Sequence, residues 1–215
     1  MKIISVNLGL PRRVLHHDRE VITSIFKSPV TDPVMLRFLN LEGDRQSDLR
    51  VHGGRNKALY AYPFEHYDYW RDQLPEADLS WGNFGENLTT EGLHEQDTLI
   101  GDVYRVGAAT VKVTQPRMPC YKLGIRFGRD DMLKRFLASG RSGIYFSVVQ
   151  EGLVDRGDVI EKISSAPEGI SIADVTRAYA YSRENVELVR RIVSAQVLPR
   201  GLHQDFLDEL ELIDG

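Results

Sequence analysis

Cys120 is the only cysteine of this 215-residue chain, and its neighbours suit a reactive thiol. It lies in the segment 116–122, PRMPCYK, directly after an alternating strand-like run. Two prolines stiffen the backbone before it, because each ring fixes φ. Arg117 and Lys122 bring positive charge close to the sulfur, which favours the thiolate and makes it a nucleophile or a metal ligand. The alternative is a small buried hydrophobe, a common setting for a free cysteine.

A second cluster surrounds the glycine pair Gly53 and Gly54. Adjacent glycines let the backbone turn its amides toward an anion, because a positive φ costs little there. The same segment carries four cationic or donor side chains, Arg50, His52, Arg55 and Lys57. Such a set suits a phosphate, since arginine offers a bidentate fork and lysine a point charge. The alternative is a polar hairpin turn with solvated charges, and His52 alone would more often be structural than a metal ligand.

The third candidate is the loop over residues 81–93, in which two glycines bracket Asn83 and Phe84. The amides of Asn83 and Asn87 both donate and accept, so a tight aromatic-lined loop of this kind suits a heterocyclic ligand. The alternative is a turn that leads into a strand. The sequence contains no dinucleotide or P-loop fingerprint and no nucleophile elbow. It therefore lacks an obvious site for a nicotinamide or flavin of its own.

Composition narrows the class of protein. Hydrophobic residues make up 42% and charged residues 27% of the chain, which is ordinary for a globular protein. A balance of 27 basic against 31 acidic residues gives a net charge of −4, which argues against nucleic-acid binding. No apolar run approaches the roughly 20 residues that span a bilayer. Residues 1–6 lack the features of a signal peptide, so we expect a cytoplasmic protein with no membrane partner.

The elements that must position these residues are mostly short strands. Runs rich in Val, Ile, Leu and Phe, punctuated by turn residues, cover 2–8, 20–27, 34–41, 58–62, 103–106, 110–114, 144–149 and 159–163. Many short strands favour a barrel or sandwich with peripheral helices. Pro63 predicts the start of one helix, and Asp130 or Asp131 the cap of a second that ends before Gly140.

The character of the chain changes after Ser164. Residues 165–169 resemble a linker, and Ser171 with Asp174 resembles a capping box. We predict that Ser182 caps a second helix, which Pro199 ends, and that a third helix follows. The sequence thus divides into a β-domain at 1–164 and a three-helix subdomain at 165–215. The apolar stripes of these helices are interpreted as packing surface, and a homodimer contact on them is left open.

Taken together, the three clusters resemble the MOSC family, the domain also found at the C-terminus of molybdenum-cofactor sulfurases. The resemblance lies in VHGG (51–54) with Lys57 and YAY (60–62), in FGENL (84–88), in IGD (100–102) and in PRMPCYK (116–122). The helical tail looks like the three-helix extension of the YiiM-like branch, which is associated with resistance to 6-hydroxylaminopurine. The family's fold implies a MOSC-type β-barrel-like domain followed by that tail.

The resemblance implies a molybdenum cofactor, a pyranopterin dithiolene with a terminal phosphate. Cys120 would then be the protein thiolate on molybdenum, a soft ligand for that metal. The residues implied to contact the phosphate or pterin are Arg50, His52, Gly53, Gly54, Lys57, Arg117 and Lys122. Those implied to shape the pocket near the metal are Asn83, Phe84, Glu86 and Asn87.

By analogy with amidoxime-reducing members, the implied reaction is two-electron reduction of N-hydroxylated compounds, with Glu86 or His52 as the source of protons. Electrons would come from a separate flavoprotein reductase as the partner, and the substrate would be a small molecule such as a free base or nucleoside. Two other functions stay open. One is sulfur transfer through a persulfide on Cys120, and the other is a non-enzymatic carrier of the molybdenum cofactor.

Overall fold

The computed structural model describes residues 1–47 and 53–215, and strands dominate the first three quarters of the chain. The strands are β1 (Lys2–Leu8), β2 (Arg12–His16), β3 (Arg19–Thr23), β4 (Ser28–Val30), β5 (Val34–Leu36), β6 (Leu59–Pro63), β7 (Leu88–Glu91), β8 (Val103–Val106), β9 (Ala109–Pro116), β10 (Ile144–Gln150), β11 (Gly152–Val154) and β12 (Ile160–Ser164). The α-helices are α1 (Glu65–Gln73), α2 (Tyr121–Phe127), α3 (Met132–Ser139), α4 (Ile172–Ala180), α5 (Val186–Ala195) and α6 (Arg200–Asp214).

One large mixed sheet organises the β-domain. Its eight strands follow the order β12-β8-β9-β10-β6-β7-β1-β4, and β6 pairs with β7 in parallel while the other pairs are antiparallel. Two-stranded sheets of β11 with β5 and of β2 with β3 accompany it. The strand ladder is open, although an isolated bridge between Lys2 and Val159 brings its two sides together. The predicted β-rich fold is confirmed, and "barrel-like" describes this incompletely closed sheet only loosely.

Several strand predictions needed shortening. The predicted strand 103–106 is observed over the same residues. The predicted strands 20–27 and 34–41 are observed as the shorter strands Arg19–Thr23 and Val34–Leu36. In both cases apolar residues continue beyond the point where the ladder ends. Pro63 ends β6 rather than opening a helix, and α1 begins at Glu65. The helix predicted after Asp131 is present as α3 and ends at Ser139, and Gly140, which follows, takes the left-handed conformation.

Beside the main core lies a compact aromatic cluster, formed by Tyr60, Tyr62, Tyr67, Trp70, Phe84 and Phe136 among its buried members. The ring of Phe84 stacks on that of Tyr62 at 4.6 Å between centroids. Trp70 donates its Nε1–H to the hydroxyl of Tyr62 at 2.7 Å, which satisfies a polar group that would otherwise be buried without a partner. The cluster joins β6, α1, α3 and the loop before β7 into one support for that loop.

Three helices follow the sheet, as predicted, and their apolar residues share its core. Val175, Val189 and Leu202, one from each helix, belong to the same buried cluster as the sheet residues. The capping box of Ser171 and Asp174 is present, with both reciprocal hydrogen bonds formed. The predicted cap at Ser182 is wrong, because residues 182–184 form a 3-10 turn and α5 begins after Asn185. Within the described residues, no helix is long and apolar enough to cross a membrane.

Candidate active site

Cys120 lies at the junction of a strand and a helix. Strand β9 ends at Pro116, and α2 begins one residue after the cysteine, so Cys120 is the residue that caps that helix. Its backbone is extended, and its carbonyl accepts a hydrogen bond from the amide of Leu123 at 2.9 Å. The residue is half-buried. The sequence did not predict α2, which is only seven residues long and holds a single turn of apolar spacing.

Two cavities meet at this cysteine. The first, here called the cation cavity, has Lys27, Asp44, Gly53, Lys57, Tyr60, Asn87, Arg117, Lys122 and Tyr145 in its wall. The second, here called the helix-side cavity, is lined by Gly53, Gly54, Arg55, Lys57, Pro119, Tyr145, Tyr179, Leu202 and Asp205, among others. Cys120 and Lys57 belong to both walls. The sulfur therefore stands where a ligand in one cavity can meet a ligand in the other.

A buried ion pair lies in the wall of the cation cavity. The Nζ of Lys27 is 2.5 and 2.6 Å from the two carboxylate oxygens of Asp44. Asp44 also accepts hydrogen bonds from the side-chain amide of Asn87 at 2.9 Å and from the backbone amide of Gly9 at 2.8 Å. Burial lowers the pKa of Lys27, an effect that the charge of Asp44 opposes. Besides this lysine, which is matched by a carboxylate, the cavity wall carries the cationic side chains of Lys57, Arg117 and Lys122.

Arg117 is held in place by buried contacts. Its Nη1 donates to the carbonyl of Phe84 at 2.5 Å, and its guanidinium lies 5.2 Å from the centroid of the Tyr60 ring. Burial disfavours its charge, but the neighbouring Tyr60, Tyr145 and Cys120 keep the pKa of Arg117 above its ordinary value. The residue therefore presents a permanent charge to the cavity, oriented by the loop that ends in Asn87.

Lys57 and Lys122 complete the cationic wall. Lys57 ends a 3-10 turn whose start is the glycine pair, with φ of 95° at Gly53 and 77° at Gly54. Among the residues that the structure describes, none has an atom within 4 Å of a Cβ placed at Gly54, and Gly54 lines the helix-side cavity. Burial lowers the pKa of Lys57, and the charges of Asp205 and Cys120 partly offset that shift. Lys122 is buried, and its Nζ donates to the hydroxyl of Ser47 at 3.1 Å.

The loop before β7 reaches the cavity through only part of its predicted set. Asn87 is in the cavity wall, whereas Asn83, Phe84 and Glu86 are not among the residues that line either cavity. Asn83 accepts a hydrogen bond from Arg126, and Phe84 is buried in the aromatic cluster. Asn83 and Phe84 therefore shape the pocket only indirectly, because the backbone carbonyl of Phe84 holds Arg117 in place.

Glu86 is enclosed by donors of its own loop and of neighbouring elements. Its carboxylate accepts hydrogen bonds from the hydroxyls of Tyr67 and Thr89 and from the amides of Gly82 and Phe84. Burial raises the pKa of Glu86, and these hydrogen bonds oppose the rise. Its role in the structure is to fold the loop. As a source of protons for a ligand beside Cys120 it is a poor candidate, because it does not line the cavity.

Two predicted residues, Arg50 and His52, lie outside the described residues, and their roles stay predictions. In the other direction, sequence reasoning missed Lys27, Asp44 and Tyr145. The first two are 17 residues apart on separate loops, and no local pattern links them. Tyr145 lies in a strand that was predicted, but the alternation of residues along that strand does not indicate that this tyrosine reaches the cavity.

The family is decided by a comparison of the sequence with known protein families. The model of the MOSC domain matches residues 48–161, which is more than half of the chain. This protein belongs to the MOSC domain family. The matched region includes Cys120, the glycine pair and the cationic residues Lys57, Arg117 and Lys122, so the cation cavity is built mostly from the MOSC portion.

Individual relatives refine the placement. The uncharacterized protein YflK of Bacillus subtilis (strain 168) is 40% identical over 205 residues, which cover 95% of this MOSC protein and 92% of YflK. The crystal structure of YiiM from Geobacillus stearothermophilus has a TM-score of 0.80 at 34% identity and covers 97% of this chain and 98% of its own. A protein named "Reductase" from Gibberella moniliformis (strain M3125 / FGSC 7600) is 34% identical over 161 residues, which are 74% of this chain and 28% of that protein.

The likeness to YiiM extends beyond the MOSC match. Since 97% of this chain is covered, the similarity includes the helices α4, α5 and α6, which follow the last residue of the family match. The predicted YiiM-like branch is thereby confirmed. These helices also supply Tyr179, Leu202 and Asp205 to the helix-side cavity, so that cavity is formed jointly by the MOSC portion and the tail.

Proposed function

We propose that this MOSC protein is a molybdenum-dependent oxidoreductase that reduces N-hydroxylated compounds. The observation that carries the proposal is the position of Cys120, a thiol on the common wall of a cation-lined cavity and a second, larger one. The fungal relative named as a reductase supports the general class of reaction.

The described residues fit the molybdenum cofactor, which is a pyranopterin with a dithiolene and a phosphate. A thiolate is the type of ligand that a soft metal site takes from protein. The cationic side chains of Lys57, Arg117 and Lys122 suit the phosphate, because charge-assisted hydrogen bonds to an anion are stronger than those between neutral groups. Gly54 leaves room for close approach of a ligand to the backbone, since no atom of residues 1–47 or 53–215 lies within 4 Å of the space that a Cβ would fill.

The overall reaction requires two electrons and two protons: R–NH–OH + 2e⁻ + 2H⁺ gives R–NH₂ + H₂O. When bound, the cofactor would supply the electrons that cleave the N–O bond, and a separate flavoprotein reductase would replenish them. Cys120 would anchor the cofactor, and Arg117, fixed by the carbonyl of Phe84, would orient its anionic end. Lys57 holds a proton on the shared wall, and its lowered pKa makes that proton easier to give up than that of a free lysine.

The test compares the wild-type protein with Cys120→Ser and with Lys112→Ala, an exposed control position on β9, the strand that precedes Cys120. Molybdenum is measured in freshly isolated protein by mass spectrometry of the metal, and pterin by the fluorescence of its oxidised form. Reduction of 6-hydroxylaminopurine is followed with a reconstituted flavoprotein reductase. We expect Cys120→Ser to lower turnover more than 100-fold, a loss of about 2.7 kcal/mol in transition-state stabilisation, while Lys112→Ala stays at the wild-type level.

Three results would overturn the proposal. Near-wild-type turnover by metal-loaded Cys120→Ser would exclude the ligand role. Protein without molybdenum, with a mass increase of roughly 32 Da on Cys120, would indicate the sulfur-transfer function instead, since that is the mass of one sulfur atom in a persulfide. Stoichiometric pterin with no turnover on any N-hydroxylated substrate would indicate a cofactor carrier.

A further inference from the structure

The helix-side cavity has a wall that the cation cavity lacks. Tyr179 on α4 and Asp205 on α6 line it together with the glycine pair, and both residues come from the tail that follows the MOSC portion. The cavity volume is about 520 Å³, against about 100 Å³ for the cation cavity. The larger value lies within the usual range for small-molecule sites, and the smaller one suits a group of phosphate size.

Tyr179 presents a fixed aromatic ring to this space. Its ring packs edge-on against Phe206 with 6.4 Å between centroids, while 43% of the residue stays exposed. An aromatic side chain that is anchored on one side and open on the other suits stacking on a flat heterocycle. Because every base has a π-face, such stacking selects planar rings over aliphatic ligands.

Asp205 adds a charge that selects among planar rings. The residue is exposed at the cavity, and its charge acts on Lys57, but within the described part of the chain its carboxylate accepts no hydrogen bond and forms no ion pair within 4 Å. An ionised carboxylate only accepts hydrogen bonds, so it matches the N–H groups on the edge of an amino-substituted base. It also repels phosphate, although the positive charges of Arg55 and Lys57 in the same cavity wall moderate that repulsion.

We propose that Tyr179 and Asp205 are the specificity-determining residues of this protein, and that they select uncharged N-hydroxylated nitrogen heterocycles, as free base or nucleoside rather than nucleotide. The inference rests on the proposed function, because it assumes that the N–OH group is reduced beside Cys120. Tyr179 stacks on the ring and Asp205 accepts from its N–H edge. The helical tail thus sets the choice of substrate, and the MOSC portion supplies the chemistry.

The chain offers matched controls for both residues. Tyr181 follows Tyr179 by two residues and has the same exposure of 43%, but it is not in the cavity wall. Asp208 is an exposed carboxylate on the same helix as Asp205 that accepts from Gln204 at 2.8 Å. The test variants are Tyr179→Ala and Asp205→Asn, and the controls are Tyr181→Ala and Asp208→Asn. All four positions are exposed or half-buried, and circular dichroism verifies that each variant is folded.

The first measurement is binding of adenine, the product expected from 6-hydroxylaminopurine, by calorimetry on the isolated full-length protein. We expect each test variant to weaken binding about tenfold, as for the loss of one stacking or one charge-assisted contact, while the controls match the wild type. AMP should bind the wild type at least tenfold more weakly than adenine. Unchanged adenine binding in both test variants, or no adenine binding by the wild type, would overturn the inference.

The second measurement separates this inference from the proposed function. Molybdenum content and reduction of hydroxylamine, which has no ring, are determined for the same proteins. We expect the test variants to raise the KM for 6-hydroxylaminopurine about tenfold while their metal content and hydroxylamine turnover stay unchanged. Wild-type protein that binds adenine but reduces neither substrate would refute the proposed function alone. Active wild-type protein whose KM for the purine is unaffected by the test variants would refute the inference alone.

Discussion

The two cavities that meet at Cys120 are built from different kinds of contact. In the cation cavity the side chains of Lys27, Asp44 and Arg117 are buried and held by hydrogen bonds: Lys27 and Asn87 donate to Asp44, and Arg117 donates to the carbonyl of Phe84. In the helix-side cavity, Tyr179 and Asp205 are exposed and project from helices that pack on the sheet by their other faces. A buried hydrogen-bond network fixes the geometry of its members, and each member also contributes to the stability of the fold. Exposed residues, in contrast, can be substituted with little effect on stability.

This contrast predicts where substitutions will show their effect. Changes in the cation cavity should alter stability and cofactor retention together, because its charges are parts of the fold. Changes on the helical wall should alter the choice of ligand alone. Under these proposals, the MOSC portion holds the fixed chemical site and the helical tail sets the specificity for the ligand.

The largest effect is expected at the buried ion pair. Asp44→Ala would leave the ammonium of Lys27 buried without its partner and would also remove acceptors from Asn87 and Gly9. Breaking a buried pair from one side costs about 3–5 kcal/mol. Chemical denaturation should show that loss in the free energy of unfolding, with Asp32→Ala, at an exposed position, as the control. A loss below about 1 kcal/mol would mean that the pair is solvated and that the contrast between the cavities is smaller than argued.

Glu86→Gln tests whether the acid of the loop is structural. Its carboxylate receives four donors, and an amide would turn an N–H₂ group toward some of them, at a cost of about 1–3 kcal/mol. The midpoint temperature of thermal unfolding should therefore fall in Glu86→Gln. The control Glu91→Gln, at a surface ion pair with Lys2, should leave that temperature unchanged. If Glu86→Gln instead kept full stability and lost turnover in metal-loaded protein, Glu86 would be a proton source after all.

Arg117→Lys keeps the charge and removes the planar fork. Lysine cannot both donate to the carbonyl of Phe84 and remain stacked near Tyr60, so the anionic end of the cofactor should be held less well. We expect molybdenum and pterin content to fall about tenfold, equivalent to about 1.4 kcal/mol of binding free energy. Arg105→Lys, at a surface pair with Glu161, should leave that content unchanged. If Arg117→Lys retained as much molybdenum and pterin as the wild type, a positive charge at position 117 would be sufficient to hold the cofactor.

The sequence predicted the parts of the site that lie in local clusters. Cys120 with Arg117 and Lys122, and the glycine pair with Lys57, are each within a few residues, so composition and spacing were enough to mark them. The pair of Lys27 and Asp44 could not be predicted, because it depends on how two loops pack against β1 and β7. Glu86 was marked as a candidate, but the donors around it come from α1, β7 and its own loop.

The fold shows the same division between local and distant information. Strand β8 and the capping box at Ser171 were predicted correctly, since both depend on neighbours in sequence. The start of α5 was misplaced, because the hydroxyl of Ser182 donates instead to Glu209 on α6 at 2.6 Å. A residue that looks like a helix cap was therefore used for packing between helices, which only the tertiary structure reveals.

The smallest effect is a shift in pH dependence at Lys57, which belongs to both cavities. Burial lowers its pKa, so as the pH rises its charge is lost earlier than that of a free lysine, and anion binding should weaken over that range. Lys57→Arg keeps the charge to higher pH. Titration of inorganic phosphate by ³¹P NMR should show the wild type losing affinity at lower pH than the arginine variant. Tyr145 also lines both cavities, but burial raises its pKa, so it stays neutral to higher pH and does not produce this difference. Asp205 and Cys120, whose charges act on Lys57, are the same in both proteins. Identical profiles for the two proteins would remove Lys57 from the anion site and assign the common wall to Cys120 and the glycine backbone.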